Sequence, residues 1–440
     1  MRFLRFGNNL QSGLLLLLVG LAITTGSAMG RSFDLDAIRE YAWKNSPQLK
    51  MVKEVINAEQ GEKEVARSPL LPAISTGVNY TRYKIEHGII EGAFGDSQEP
   101  GHERLAWDIT FNYIAFSFGK DYFAYKAASQ LVKSRTKDFT RAWQNLSFQL
   151  AKIYYSIITV DKTIDATRAT IKSLETLVRE IGEKVKVGRL PEVDLLKVEV
   201  TLSRSTDDLS KLETLKEDLL GELAKLMGYN EPGRLVIKEQ PMEEIEEKHF
   251  NVNELLEEAY SERADLKSIE HSLESVRYQT KSVKASYLPE IALRGAYSKQ
   301  ASGDADFVSD GNVAVMISMP IFDGFLRKGK IDKLKAEENR LRFALQDKRL
   351  QIAKEVKTAL KDYQETLTRI RSARRSVKHA EEVLRIEKLK YKLGRTTINF
   401  VLEAESALLT AKSIFYKAYH DNYVALEKIK LALGRQQLKQ

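Results

Sequence analysis

The sequence predicts a mainly α-helical chain with a transmembrane β part: an internally duplicated array of long antiparallel coiled-coil helices with four β-strands. Three observations predict it. Segments of the first half recur at fixed spacing in the second, long proline-free runs keep a heptad seam, and four stretches alternate apolar with polar residues.

The duplication comes first because it organises everything else. "LDAIREYAWKNSPQLK" from Leu35 lies against "VNELLEEAYSERADLK" from Val252. Ala42 and Ala259 are 217 residues apart, as are the Leu-Pro steps at Pro72 and Pro289. Farther along, the offset is 206, both for Gly188 against Gly394 and for Gly228 against Gly434. One indel of 11 residues, confined to about 85–110 of the first copy, reconciles the offsets and marks a loop. The resulting units are a first repeat over 31–228, an irregular crossover over 229–250, a second repeat over 251–435 and a tail over 436–440. Pro232, Pro241 and an acidic run give the crossover no helical period.

Within each repeat the helices read as 34–70 and 120–228, then 251–287 and 326–434. Between Lys120 and Val187 there is no proline, and Ile153, Ile157, Val160, Ile164, Ile171, Leu174, Val178, Ile181 and Val185 form a heptad seam. Leu360, Tyr363, Leu367, Ile370, Val377, Leu384 and Tyr391 repeat it. The returning segment keeps the seam through Leu195, Val198, Leu202 and Leu209. "KVGRLPEVDLL" and "KLGRTTINFVL" interrupt the two runs. Gly188 and Gly394 suit the left-handed end of a helix, and Pro191 suits the start of the next, so each half folds back as a hairpin with its tip at a Gly-Arg step. At 1.5 Å per residue the outgoing helices reach about 100 Å, beyond the span of a globular domain.

The strands read as 73–86, 105–118, 290–300 and 312–322. In the second, Trp107, Ile109, Phe111 and Tyr113 share a face opposite Asp108, Thr110 and Asn112. Aromatic-rich alternation over about ten residues, with Gly/Asp/Ser loops, is the pattern of a transmembrane β-strand. Four such strands cannot close a membrane barrel, which needs eight or more, so spanning strands require an oligomer.

The first 30 residues read as a secretory signal: Arg2 and Arg5 precede "GLLLLLVGLAI", and "TTGSAMG" supplies small residues for cleavage after Ala28 or Gly30. The apolar core is shorter than the ~20 residues of a spanning helix. There are no cysteines, which excludes a thiol nucleophile, a disulfide framework and a lipid-modified N-terminal cysteine. The formal charge of +8, reduced by two when Arg2 and Arg5 leave with the signal, is small for this length and argues against nucleic acid as a partner.

No constellation for chemistry emerges. "GFLRKGKI" from Gly324 fits the beginning of a phosphate-binding loop, but Ile331 stands where a Ser or Thr should hold magnesium, so a strand-to-helix turn is the better reading. The six histidines have no metal-ligand spacing, and no nucleophile elbow is present. No cofactor, metal or enzymatic activity is expected. Asp194 and Glu403 follow the two tip glycines by six and nine residues. In an oligomer they could form a charged ring that sets ion selectivity, or they could simply be acids favoured at a helix N-terminus.

In order and in both halves, the Leu-Pro steps before the strands, "PIFDGF" at Pro320, the paired glycine turns and the heptad helices resemble the TolC family of outer-membrane efflux and secretion channels. The resemblance runs from about Leu35 to Arg435. It implies a homotrimer with a 12-stranded β-barrel in outer-membrane lipid and an α-helical periplasmic barrel. It also implies a periplasmic adaptor (membrane fusion) protein and an inner-membrane pump of the RND, ABC or MFS type, or a type I secretion system. By position, the adaptor-contact tips would be Val187, Gly188, Arg189 and Leu190 with Leu393, Gly394, Arg395 and Thr396. The pore gate would comprise Asp194, Phe400 and Glu403. Phe400 departs from the family's acidic ring, and an aromatic ring there closes a pore by dewetting where carboxylates close it by charge. The alternative is a periplasmic coiled-coil scaffold or adaptor without a pore. The heptads alone would serve that role, but the duplicated strands argue against it.

Overall fold

The computed structural model describes residues 31–82, 103–238, 245–302 and 306–435. The expected signal segment, residues 85–102 of the indel region and the 436–440 tail lie outside them. The strand expected over 105–118 spans Glu103–Phe116, so the end of the indel region from 103 to 110 belongs to it and not to the loop.

Both repeats begin with a broken helix. In the first, α1 (Leu35–Asn45) gives way to α2 (Pro47–Arg67), correcting the single helix expected over 34–70. Pro47 cannot donate a backbone hydrogen bond, and Ser46 before it leaves the helical region. In the second, α5 (Val252–Glu262) and α6 (Ala264–Ala285) break at Arg263, 217 residues after Ser46, with no proline present. Here a side chain holds the break. Arg263, 1% exposed, donates to Asp265 at 2.6 and 2.9 Å, to Glu355, and to the Ala432 carbonyl at 3.4 Å.

The two long hairpins are α3 (Lys120–Lys186) with α4 (Glu192–Met227), and α7 (Leu326–Lys392) with α8 (Ile398–Leu433). Their bases pack on the short helices through equivalent residues. Ile38, Leu150, Ile157, Leu223 and Met227 form one core, and Leu255, Val356, Tyr363, Ile429 and Leu433 form its counterpart. The crossover is not wholly irregular, a second correction: β4 (Leu235–Ile237) pairs in parallel with β1 (Arg31–Phe33). Phe33 and Leu235 thereby join the first core.

A four-stranded antiparallel sheet leads into the N-terminal ends of α3 and α7, away from the hairpin tips, in the order β2 (Ala73–Arg82), β3 (Glu103–Phe116), β5 (Glu290–Ser302), β6 (Val308–Ser318). The register carries one face through Ile74, Phe111 and Val313, with Val78, Trp107, Ile109 and Tyr297 on the same side. The other face runs through Ser75, Thr110, Ala296 and Asn312, with Asp108 beside Gly77 and Ser298. Period-two alternation thus becomes one apolar and one polar surface. Val313 on the apolar face is 87% exposed in the single chain. The last strand ends at Ser318, not 322, since Pro320 can donate nothing to a ladder. The "GFLRKGKI" segment forms the turn into α7, where Arg327 binds Asp323 at 2.6 Å and donates to the Pro320 and Ser286 carbonyls, both at 3.0 Å.

Candidate functional site at the paired hairpin tips

The two tips have one backbone design. In the first, Gly188 N–H donates to Val185 C=O at 2.9 Å and Arg189 N–H to Lys184 C=O at 2.8 Å. In the second, Gly394 donates to Tyr391 at 3.0 Å and Arg395 to Lys390 at 2.9 Å. These paired bonds close the last turn of each outgoing helix around a glycine with φ of 71° and 68°. A Cβ on either glycine would meet nothing within 4 Å, so the turn demands glycine for its dihedral and not for space.

The tips present exposed apolar side chains beside bare backbone and positive charge. Val187 is 67% and Leu393 60% exposed, and Arg189 and Arg395 are exposed beside them. Leu190 and Thr396 are half-buried. Just behind the tips, Leu174, Ile181 and Val198 of the first hairpin pack with Leu384, Ile398, Val401 and Ala404 of the second. This shared core places the eight tip residues at one end of the molecule.

The three gate candidates separate. Phe400 is 54% exposed at the start of α8. Glu403 lines a cavity of about 640 Å3 between α4 and α8, together with Lys197. Asp194 is half-buried and acts on Tyr391 of the other hairpin. Burial first, then the Asp194 carboxylate, raises the Tyr391 phenol above its ordinary value. Its hydroxyl is buried and has no hydrogen-bond partner among the described residues. A seam position explains the Tyr391 ring but not an unpaired hydroxyl, and heptad spacing alone did not single it out.

A second bridge between hairpins was also silent in the sequence. Glu405, buried on α8, accepts from Lys388 of α7 at 2.6 Å and from Ser173 of α3 at 2.6 Å, while Lys388 also donates to Ser173 at 2.9 Å. Glu405 lies two residues beyond Glu403 and is buried in this bridge, whereas Glu403 is exposed, although both border the same cavity. No helix among the described residues is long and apolar enough to cross a membrane.

This architecture has known relatives. The family described as Outer membrane efflux protein matches residues 39–229 and 255–435, one span in each repeat. Outer membrane protein TolC of Escherichia coli is 21% identical, with 96% of this chain and 86% of that protein aligned. Outer membrane efflux protein BepC of Brucella suis is 20% identical over 95% of this chain and 89% of its own length. Among solved structures, the outer membrane protein VceC of Vibrio cholerae superposes with a TM-score of 0.77 at 20% identity, covering 91% of this chain and 96% of VceC. With both repeats matched and the fold shared along nearly its whole length, the chain belongs to the outer membrane efflux protein family, the TolC family, and is an outer-membrane duct with a helical periplasmic extension.

Proposed function

We propose that three copies of this chain close a 12-stranded barrel and serve as the passive exit duct of a tripartite efflux or type I secretion system, gated at the periplasmic hairpin tips. The observation that carries this reading is the four-stranded sheet, with an exposed apolar face, a polar face and two unpaired outer edges at β2 and β6. In lipid an open edge leaves backbone N–H and C=O groups unsatisfied, at several kcal/mol each, and pairing β6 of one copy with β2 of the next removes every edge. The polar face then lines the lumen. Phe116, Tyr122, Phe322 and Phe325, all exposed where strands meet helices, suit the interfacial aromatic girdle of such a barrel.

The tips dock a periplasmic adaptor through Val187 to Leu190 and Leu393 to Thr396, and an inner-membrane pump of the RND, ABC or MFS type supplies the energy. The chain itself performs no chemistry. Phe400 and Glu403 narrow the mouth, with Asp194 beside Tyr391 at the junction of the two hairpins.

Planar-bilayer conductance of the detergent-purified protein tests this, wild type beside Phe400→Ala and Glu403→Ala. A stable low conductance that rises in either variant is expected and identifies the closing residue. A protein that stays in solution without detergent and never inserts would return the scaffold reading.

A further inference from the structure

Lys197 and Glu403 occupy matching places in the two hairpins, each nine residues beyond its tip glycine and 206 residues apart. Both line the same cavity between α4 and α8, so they share one face of the hairpin pair at one depth from the tips. Neither enters an ion pair among the described residues. The other charges on that cavity are Arg204, Asp208 and Glu405. Asp208 is held by Lys211 at 3.4 Å and Glu405 by Lys388 at 2.6 Å. Arg204 stands two turns farther from the tip.

We infer that Lys197 sets the ionic selectivity of the mouth by cancelling the charge of Glu403. The inference rests on the hairpin tips being the pore mouth. In a trimer, six hairpins then surround the opening, and at this level three Lys197 alternate with three Glu403. Both side chains border one opening, where charges within about one Debye length, ~8 Å at physiological salt, act on a passing ion together and largely offset. An acidic ring alone favours cations. Here the duplicated position carries the opposite sign, and the duct passes both signs of ion.

The test is the reversal potential of the full protein in planar bilayers under a KCl gradient, for wild type, Lys197→Gln, Glu403→Gln and the double variant. Wild type is expected to show a potassium-to-chloride permeability ratio near unity. Lys197→Gln raises that ratio about threefold or more, Glu403→Gln lowers it by a similar factor, and the double variant returns towards wild type. A strongly cation-selective wild type would overturn the inference. So would a Lys197→Gln variant with unchanged ratio beside a Glu403→Gln variant whose ratio falls, leaving the mouth assignment standing. If neither substitution moves the ratio, the tips are not the mouth and the reading beneath the inference fails with it.

Discussion

Replacing Arg263 with methionine keeps most of the aliphatic stem and removes the guanidinium that holds the α5–α6 break. Deleting one partner of a buried ion pair costs about 3–5 kcal/mol, because the charges left behind are uncompensated. Two features place Arg263→Met at the lower end. Arg141 and Lys348 each remain 3.8 Å from Asp265, and Glu355 is one-third exposed and keeps a bond from Gln351 at 2.8 Å. A loss of ~3 kcal/mol follows. Unfolding entropy of ~2.1 cal/mol/K per residue gives about 0.9 kcal/mol/K for a 440-residue chain, so the thermal midpoint falls about 3 °C.

The assay is the loss of helical ellipticity on heating, in detergent, for wild type, Arg263→Met and Arg263→Met with Asp265→Asn. The double variant recovers part of the loss, since the amide removes the buried charge that Arg263 offset, while Arg141 keeps Glu355 at 3.9 Å. The pH dependence follows from Asp265. Burial pushes its carboxyl up, but the bonds from Arg263 and the charges of Arg141, Arg263 and Lys348 pull it below the ordinary 3.8 overall. A carboxyl lowered on folding contributes stability that is complete above its ordinary value and is lost as pH falls through the folded value. The wild-type advantage is therefore full above about pH 4 and shrinks below it. A single variant that melts with wild type, or a double variant that melts below the single, would refute the argument.

Two further outcomes are expected. Glu405→Gln removes the charge that ties α3 to both helices of the second hairpin, at a cost of ~1–3 kcal/mol, and should raise resting bilayer conductance; wild-type conductance in that variant would show that the bridge does not restrain the mouth. His420 is buried, with its Nδ1 2.8 Å from Thr159 Oγ1 and its ring stacked near Tyr155. Burial first, then Lys162, lowers its pKa to about 4 against the raising effect of the Tyr416 carbonyl. A histidine lowered on folding gives stability that is full above its ordinary value of 6.5 and drains away as pH falls towards 4. The wild-type melting midpoint should therefore drop more steeply across that window than that of His420→Gln, and parallel curves would disprove the role.

Much of this protein is local physics written in its sequence. Heptad spacing identifies the long helices because 3.6-residue periodicity must bury one stripe, and Ile157, Leu174 and Ile181 of that stripe are buried. Alternation separates Trp107 and Phe111 from Asp108 and Thr110 because a strand turns successive side chains to opposite faces. Gly188 and Gly394 mark the tips because only glycine enters the left-handed turn without strain, and the 206-residue offset pairs the two tips within the sequence itself.

Tertiary structure decided what local patterns do not encode. The break at Ser46 is announced by Pro47, whereas its counterpart at Arg263 depends on Asp265, Glu355 and the Ala432 carbonyl, the last two distant in sequence. The pairing of β1 with β4 joins segments about 200 residues apart, and a three-residue strand has too short a pattern to be seen alone. At the site, the sequence places Asp194, Phe400 and Glu403 at similar distances from their glycines. The packing of one hairpin on the other sends Asp194 towards Tyr391, leaves Phe400 exposed and sets Glu403 on an open cavity that Lys197 also lines. Spacing along a helix fixes a residue's height above the tip; which neighbour it faces is decided by the partner helix, and that information is shared between two distant stretches of chain.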